Sequence, residues 1–269
     1  MKNCKDSFYY DAIHSVHPDV CGISNPLVRG ASRHVLIANT PSGAFVFKFG
    51  TQAIAYRNQQ IGQTLRNSDI PAPAPTAMKH ETHHFEVYPY IVGKTLFQSH
   101  REGLDRRKVN RVYEQLINLT ENMSAIDTNC LESVPHKYFH DIALVTTTKT
   151  SGLIAGGVVS AAMRLMNSGR QGLHHFGLTP KNILVDDAGD FLAILDLDEV
   201  AIGNENYMFG TMLEAYNRLG GQSAYLFDAY ERITGRHLDR KRISGQVGVI
   251  AAGKKFLYKL SGMRAGRRR

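Results

Sequence analysis

Two short apolar runs in the second half of the chain each border a polar side chain that is able to bind a metal ion. Asn182 precedes the run 183–185, and Asp196 follows the run 191–195. The residues between the runs, 186–190, have the composition of a tight turn, so the two runs are predicted to form a β-hairpin. The hairpin would bring the Asn182 amide and the Asp196 carboxylate together. Hard oxygen ligands of this kind suit Mg²⁺.

Lys48 is an isolated cation inside a second apolar run, Phe45 to Phe49. A lone ammonium group in such a strand needs an anionic partner, and a phosphate group would serve. The ordinary alternative is a lysine whose aliphatic stem follows the strand while its ammonium group reaches solvent. The Asn182 and Asp196 pattern downstream favours the phosphate interpretation.

Asp198 follows Asp196 by two residues. Side chains at this spacing share one face of an extended strand, so the two carboxylates can act together, although they would also simply end a strand. We assign Asp196 as a metal ligand and Asp198 as the candidate catalytic carboxylate.

These residues, in this order, resemble the pattern of the aminoglycoside phosphotransferase and choline kinase family, small-molecule kinases with a protein-kinase-like fold. The catalytic loop of that family reads His, any residue, Asp, Leu, any, Pro, any, Asn, Ile, Leu. Six positions match it: His175, Leu178, Pro180, Asn182, Ile183 and Leu184. The family's metal motif, an apolar strand that ends in Asp, matches 194–196. The resemblance extends from about residue 20 to residue 235.

The resemblance implies ATP as the phosphoryl donor and Mg²⁺ as its metal ion. Lys48 matches the lysine that holds the nucleotide phosphates. Gly30 and Ser32 fall in the loop that covers those phosphates. The hinge that receives adenine matches Tyr88, Tyr90 and Ile91.

The chain departs from the family pattern at two carboxylates. Gly177 stands where the catalytic loop has the Asp that accepts the substrate proton, and Asn58 stands where the family has the Glu that pairs with the strand lysine. Phosphoryl transfer depends mainly on positioning and electrostatics, so loss of the base need not abolish it. Replacing Gly177 by Asp is predicted to raise turnover.

The implied function is ATP- and Mg²⁺-dependent phosphoryl transfer to a small hydroxyl-bearing molecule by a divergent family member. Two alternatives stay open. One is a pseudokinase that acts as a nucleotide-binding or scaffolding module, and the other is a kinase-fold enzyme that has switched to nucleotidyl transfer. A carboxylate that reaches the acceptor position would favour an enzyme, and Asp198 and Asp187 are the candidates from the sequence.

The implied fold is α+β and two-lobed, with a small β-rich N-terminal lobe over residues 1–92 and a larger helical C-terminal lobe over 93–269. Periodicity agrees, because strands are predicted at 34–40 and 44–49 and a hairpin over 77–92. Helices are predicted at 52–66, 106–123, 152–166 and 223–234. His80, His83 and His84 fall near the hairpin tip, which favours a solvated turn over a zinc site.

Composition and charge indicate the class of protein, its expected compartment and a candidate anionic partner. Of 269 residues, 43% are apolar and 21% charged, which is a globular composition. The three cysteines are unevenly spaced and no long apolar run is present, so we expect a cytoplasmic protein without disulfides. Eleven of the 32 Lys and Arg residues lie from Arg236 onward, with one acid among them. This basic tail is predicted to bind an anionic membrane surface or nucleic acid weakly.

Overall fold

The computed structural model describes residues 4–25, 34–129, 131, 134–137 and 169–245. Within these ranges the chain forms a β-rich N-terminal lobe and a mainly helical C-terminal lobe, the α+β class expected from the sequence. The helix expected at 152–166 and the tail beyond residue 245 lie outside the described residues, as do Gly30 and Ser32.

The N-terminal lobe is built on one antiparallel sheet of five strands in the order β1-β2-β3-β5-β4. Its strands are β1 (Gly22–Ser24), β2 (Val35–Thr40), β3 (Gly43–Gly50), β4 (Thr76–His80) and β5 (His83–Pro89). Phe47 of β3 and Phe85 of β5 are completely buried in the core of this lobe. The sheet carries Lys48 opposite Glu86 in the β3–β5 register.

Among the described residues, two helices pack on this sheet. Helix α1 (Cys4–Val16), which the sequence patterns did not predict, buries Ala12 and Ile13 against it. Helix α2 (Gln52–Asn67) begins at Thr51, whose hydroxyl accepts a hydrogen bond from the Ile54 backbone N–H. A side chain at Gly62 of α2 would lie 2.6 Å from Pro75, so glycine permits the helix to press on the segment that follows it.

In its described part the C-terminal lobe joins short strands to four helices. The strands are β6 (Lys94–Thr95), β7 (His136–Lys137), β8 (Gln171–His175), β9 (Ile183–Val185), β10 (Phe191–Ile194) and β11 (Val200–Asn204), with a 3₁₀ turn, Leu197–Glu199, between the last two. The helices are α3 (Leu96–Arg101), α4 (Arg106–Ser124), α5 (Glu205–Arg218) and α6 (Ser223–Thr234).

Helix α4 supplies the centre of this lobe, because its apolar stripe is buried over its whole length, from Val109 to Met123. Its Asp105 cap accepts hydrogen bonds from the N–H groups of Arg107 and Lys108. Strand β8 packs on α4 and pairs with β11, which anchors the loop that follows β8. None of the helices in the described part of the chain is long and apolar enough to cross a membrane.

Candidate active site

The hairpin predicted around the metal motif is confirmed. Strands β9 and β10 pair antiparallel, with Ile183 opposite Ile194, and the Leu195 N–H donates to the Asn182 carbonyl oxygen at 2.7 Å. Asn182 and Asp196 therefore stand side by side where the two strands begin and end. The sequence predicts this pairing because both strands and their turn are local.

The catalytic loop is held by His175. Its Nδ1 accepts a hydrogen bond from the Gly177 backbone N–H at 3.1 Å, so the ring proton is on Nε2, which donates to the Leu195 carbonyl oxygen at 2.7 Å. The ring thus ties the loop after β8 to the end of the metal motif. Its tautomer is fixed by these two contacts.

The Asn182 side chain is oriented by the same loop. Its Nδ2 donates to the Gly177 carbonyl oxygen at 2.9 Å. The donation turns the amide so that Oδ1 is the end available to a cation. The backbone of the loop therefore fixes the orientation of the Asn182 amide.

Asp196 has left-handed backbone angles, φ 66° and ψ 67°. This region is uncommon for a residue with a side chain, although Asp tolerates it better than most. The conformation breaks the strand after Leu195 and starts the 3₁₀ turn. The Asp196 carboxylate then accepts a hydrogen bond from Lys48 Nζ at 2.6 Å, a contact that joins the two lobes.

Asp198 also binds Lys48, with its Oδ2 3.0 Å from Nζ. Its other oxygen, Oδ1, accepts a hydrogen bond from Asn58 Nδ2 at 2.6 Å. The lysine of β3 is thus held by two carboxylates of the C-terminal lobe. Asp198 connects it to helix α2 as well, through Asn58.

Asn58 lies between two acids. The same Nδ2 that donates to Asp198 donates to Glu86 at 3.0 Å, and Asn58 and Glu86 are both buried. A carboxylate at position 58 would be the third acid in this cluster and would meet two like charges at hydrogen-bond distance. An amide is the side chain that satisfies both neighbours.

Sequence reasoning did not find Glu86 or Glu199. Glu86 is opposite Lys48 on the next strand, and a charged residue inside the apolar run of β5 was the available signal. Glu199 lies beside Gly177, with its Cγ 2.6 Å from the position that a Cβ at residue 177 would take. Nothing local in the sequence indicates that approach, because it depends on the pairing of β8 with β11.

The hinge residues lie at the end of β5. Tyr88 pairs with Val46, and the Tyr90 N–H donates to the Ala44 carbonyl oxygen at 2.8 Å, which holds the chain against β3 before it crosses to β6. The Tyr90 side chain is exposed and that of Ile91 half-buried.

The metal-binding capacity of the site rests on few ligands. The described ranges contain no cluster of three or more His, Cys, Asp or Glu side chains that could hold a metal ion. His80, His83 and His84 therefore do not form such a cluster. One carboxylate and one amide nevertheless fit Mg²⁺, which is usually bound by one or two carboxylates together with substrate phosphates and water. The donor set of Asn182 and Asp196 matches that pattern.

Several solved structures are similar to this fold. An aminoglycoside phosphotransferase of the APH(2″) type, in complex with GDP and kanamycin, is 18% identical with a TM-score of 0.75, covering 96% of this chain and 92% of that one. The macrolide 2′-phosphotransferase MphH from Brachybacterium faecium is 17% identical with a TM-score of 0.65, covering 95% and 93%. An ADP-bound APH(2″)-Ib is 13% identical with a TM-score of 0.62, covering 84% and 82%.

No curated protein matches the sequence closely enough to count as a relative. The family assignment comes instead from a family-level match, to the phosphotransferase enzyme family, which covers residues 25–244 and so includes Lys48, the catalytic loop and the metal motif. The match confirms the resemblance read from those residues, and the chain belongs to the phosphotransferase enzyme family.

Proposed function

We propose that the protein transfers the terminal phosphoryl group of ATP to a hydroxyl group of a small molecule, with Mg²⁺ as the metal ion. The observation that carries this proposal is the convergence of Lys48, Asn182 and Asp196 between the lobes. Lysine is the phosphate-binding group of kinase-like sites, and the amide and carboxylate suit a metal ion bound to phosphates.

In this proposal Asp196 and Asn182 hold the metal ion. Bound there, Mg²⁺ would neutralise charge that develops on the phosphate oxygens during transfer. Lys48 would contact the nucleotide phosphates in place of one of its two carboxylates. Gly30 and Ser32 stay assigned to the loop over the phosphates, and Tyr88, Tyr90 and Ile91 would receive adenine.

Asp198 keeps its place as a candidate functional carboxylate. Its contacts with Lys48 and Asn58 support a positioning role, since one carboxylate fixes both the lysine and helix α2. The catalytic role assigned to it from the sequence stays a prediction and is compared below with that of a neighbouring acid.

The acceptor is proposed to be a polyhydroxylated or amino-sugar compound, because the nucleotide-bound structures of similar fold include one solved with kanamycin. Kanamycin is therefore the first acceptor to test. Water serves as a second acceptor, since slow hydrolysis of ATP reports phosphoryl transfer without a known substrate.

The test is a titration with ATP, with and without Mg²⁺, followed by thermal unfolding and product analysis. A ligand that binds the native state alone raises the midpoint of unfolding, so the proposal requires a Mg²⁺-dependent rise with ATP. Release of ADP supports phosphoryl transfer. Release of AMP supports the nucleotidyl-transfer alternative, and binding without any turnover supports the pseudokinase.

The pseudokinase is the second candidate because Gly177 removes the usual proton acceptor from the catalytic loop. A general base contributes typically 10²- to 10⁴-fold, so an enzyme without one would be slow. The two candidates differ on whether another carboxylate takes over that position.

A further inference from the structure

The space beside Gly177 is filled by the side chain of Glu199. A Cβ built on Gly177 would lie 2.6 Å from the Glu199 Cγ and 2.8 Å from its Cβ. Because a carbon–carbon bond is about 1.5 Å long, the Glu199 carboxyl carbon lies within about 4 Å of that Cβ position. A carboxylate therefore stands next to the catalytic loop although the loop itself carries none.

The backbone fixes this approach. Strands β8 and β11 pair with His175 opposite Val200, and the Phe176 N–H donates to the Glu199 carbonyl oxygen at 2.9 Å. The Glu199 N–H in turn donates to the Asp196 carbonyl oxygen at 3.1 Å. Glu199 is thus attached to the catalytic loop on one side and to the metal motif on the other.

We propose that Glu199 is the catalytic carboxylate that accepts the proton of the acceptor hydroxyl, in place of the aspartate that is absent at position 177. This inference rests on the proposed phosphotransferase function. The acceptor oxygen forms a bond to the γ-phosphorus while the bond from that phosphorus to the β–γ bridging oxygen breaks. ADP leaves with that electron pair, and the hydroxyl proton passes to the Glu199 carboxylate and then to water.

The two carboxylates named from the sequence are less suited to this step. The Asp187 side chain is 94% exposed in the hairpin turn, 3.6 Å from Lys94. Asp198 is bound by the Lys48 ammonium group and the Asn58 amide. Both oxygens of the Asp198 carboxylate are therefore used to hold Lys48 and helix α2 in place.

Tyr207 forms one wall of the Glu199 environment. Its ring stacks on Phe176 with 5.3 Å between centroids. Burial raises the pKa of the Tyr207 phenol, and the negative charge of Glu199 raises it further. The phenol therefore keeps its proton and adds no second negative charge beside Glu199.

The first part of the test compares Glu199→Gln with Asp187→Asn, which removes the same charge from an exposed position in the same lobe. ADP release is measured with Mg²⁺ and ATP, with kanamycin or water as the acceptor, across pH. Glu199→Gln is expected to lower kcat about 10²-fold or more and leave the KM for ATP within about twofold. The kcat of the parent is expected to fall at acid pH as the Glu199 carboxylate takes up a proton. The Glu199→Gln variant should lack this fall. Asp187→Asn should match the parent.

The second part moves the carboxylate back to the loop. Gly177→Asp alone must displace Glu199, because its Cβ has no room. The double variant Glu199→Gly with Gly177→Asp has that room, because it removes both the Cβ and the Cγ that lie within 3 Å of the new side chain. It is expected to recover at least tenfold in kcat over Glu199→Gly alone, together with the acid limb of the pH profile. A merely structural role for Glu199 would give neither recovery.

The outcomes separate this inference from the proposed function. A Glu199→Gln variant that keeps the kcat and pH profile of the parent overturns the role of Glu199 and leaves phosphoryl transfer intact. A parent that binds ATP but releases no ADP, while the double variant does release it, overturns both the role of Glu199 and phosphoryl transfer by the parent, and supports the pseudokinase. A parent with no Mg²⁺-dependent thermal shift overturns the proposed function and the inference with it.

Discussion

Positions 58 and 177 are two places in the active site where the family pattern has a carboxylate and this chain has none. At position 58 an amide donates to Asp198, and at position 177 a glycine leaves room for Glu199. The two acids are neighbours on one 3₁₀ turn. One short segment thus places a carboxylate against each of these two positions.

The two replacements differ in kind. At position 58 the exchange is made by hydrogen bonds, because Asn58 bridges Asp198 and Glu86. At position 177 the exchange is steric, because the absence of a side chain leaves room for that of Glu199, which lies on the 3₁₀ turn. The first replacement is expected to appear as non-additive changes in the free energy of unfolding when positions 58 and 198 are both changed. The second is expected to appear as a loss of kcat on removal of Glu199 that an Asp at position 177 restores.

The largest expected effect concerns the proposed metal site beside both replacements. Asp196→Ala removes a proposed metal ligand, which supplies several kcal/mol of transition-state stabilisation, so ADP release should fall by about 10³-fold. Asp187→Ala is the matched control on the exposed side of the same hairpin. Activity of Asp196→Ala within threefold of the parent would mean that the carboxylates of the turn do not serve a metal-dependent site.

The next effect concerns position 58. Asn58→Asp places a third carboxylate at hydrogen-bond distance from two others in a buried site, so the free energy of unfolding should fall by about 2 to 3 kcal/mol at pH 7. Adding Asp198→Asn should return part of this loss, because it removes one of the two repulsions. Urea unfolding of the single and double variants measures the coupling.

Asn118→Asp is the control for this series, since Asn118 is an exposed residue of α4 and should cost less than about 0.5 kcal/mol. Equal costs at positions 58 and 118, or strictly additive effects of Asn58→Asp and Asp198→Asn, would show that the amide bridge is not what replaces the missing glutamate.

How much of this site is readable from the sequence depends on the distance between partners. The hairpin that places Asn182 beside Asp196 is local, and so is the strand that carries Lys48. The contact of Asn58 with Asp198 spans 140 residues and requires the two lobes to close on each other. The approach of Glu199 to Gly177 follows from the β8–β11 register, which no spacing in the sequence encodes.

The missed helix α1 has a similar cause. It buries two small or branched residues against a sheet, while Phe8 and Tyr9 pack edge-on with Phe49, so its apolar residues do not form a clear helical stripe. Helix α4 has such a stripe, and its predicted bounds, 106–123, differ from the observed helix by one residue. Periodicity identifies the helices that cross a core more readily than those that lie on a sheet.

A third prediction concerns β8, the strand whose pairing with β11 places Glu199 beside Gly177. His174 of β8 is 1% exposed, and neither ring nitrogen has a hydrogen-bond partner among the residues that the structure describes. Burial, with the positive charges of Arg170 and Arg236, lowers the pKa of His174 to about 4. The unfolded chain takes up this proton below about pH 6.5, while the native state does so only near pH 4.

Stability is therefore lost as the pH falls from about 6.5 towards 4, by about 2 kcal/mol at pH 5 from this residue. The measurement is urea unfolding at pH 7 and pH 5 for the parent, His174→Leu and the exposed control His237→Leu. The parent and His237→Leu should lose more stability than His174→Leu over this interval. An equal loss in all three proteins would mean that another group causes the acid sensitivity. The same unfolding data give the pH range in which kcat is measured on folded protein.

The smallest effect on the active site is expected from the basic tail. Of its eleven cations, Arg236 is paired with Glu121 and Glu205, and Arg240 with Asp228 and Glu231, so these two belong to the folded body. Arg264, Arg267, Arg268 and Arg269 lie outside the described residues, and for them we propose the weak binding of anionic surfaces that the sequence predicts.

Changing these four arginines to glutamine tests whether nucleotide affinity comes from Lys48 or from diffuse positive charge. At about 1 kcal/mol for each basic residue near an anionic membrane, the parent should bind phosphatidylserine vesicles in low salt and lose them at physiological ionic strength. The variant should not bind them, and its Mg²⁺-dependent thermal shift with ATP should equal that of the parent. A smaller shift in the variant would mean that the tail contributes to nucleotide binding. Nucleotide affinity would then not come from Lys48 alone. Vesicle binding that survives the four substitutions would place the anionic contact on another surface of the protein.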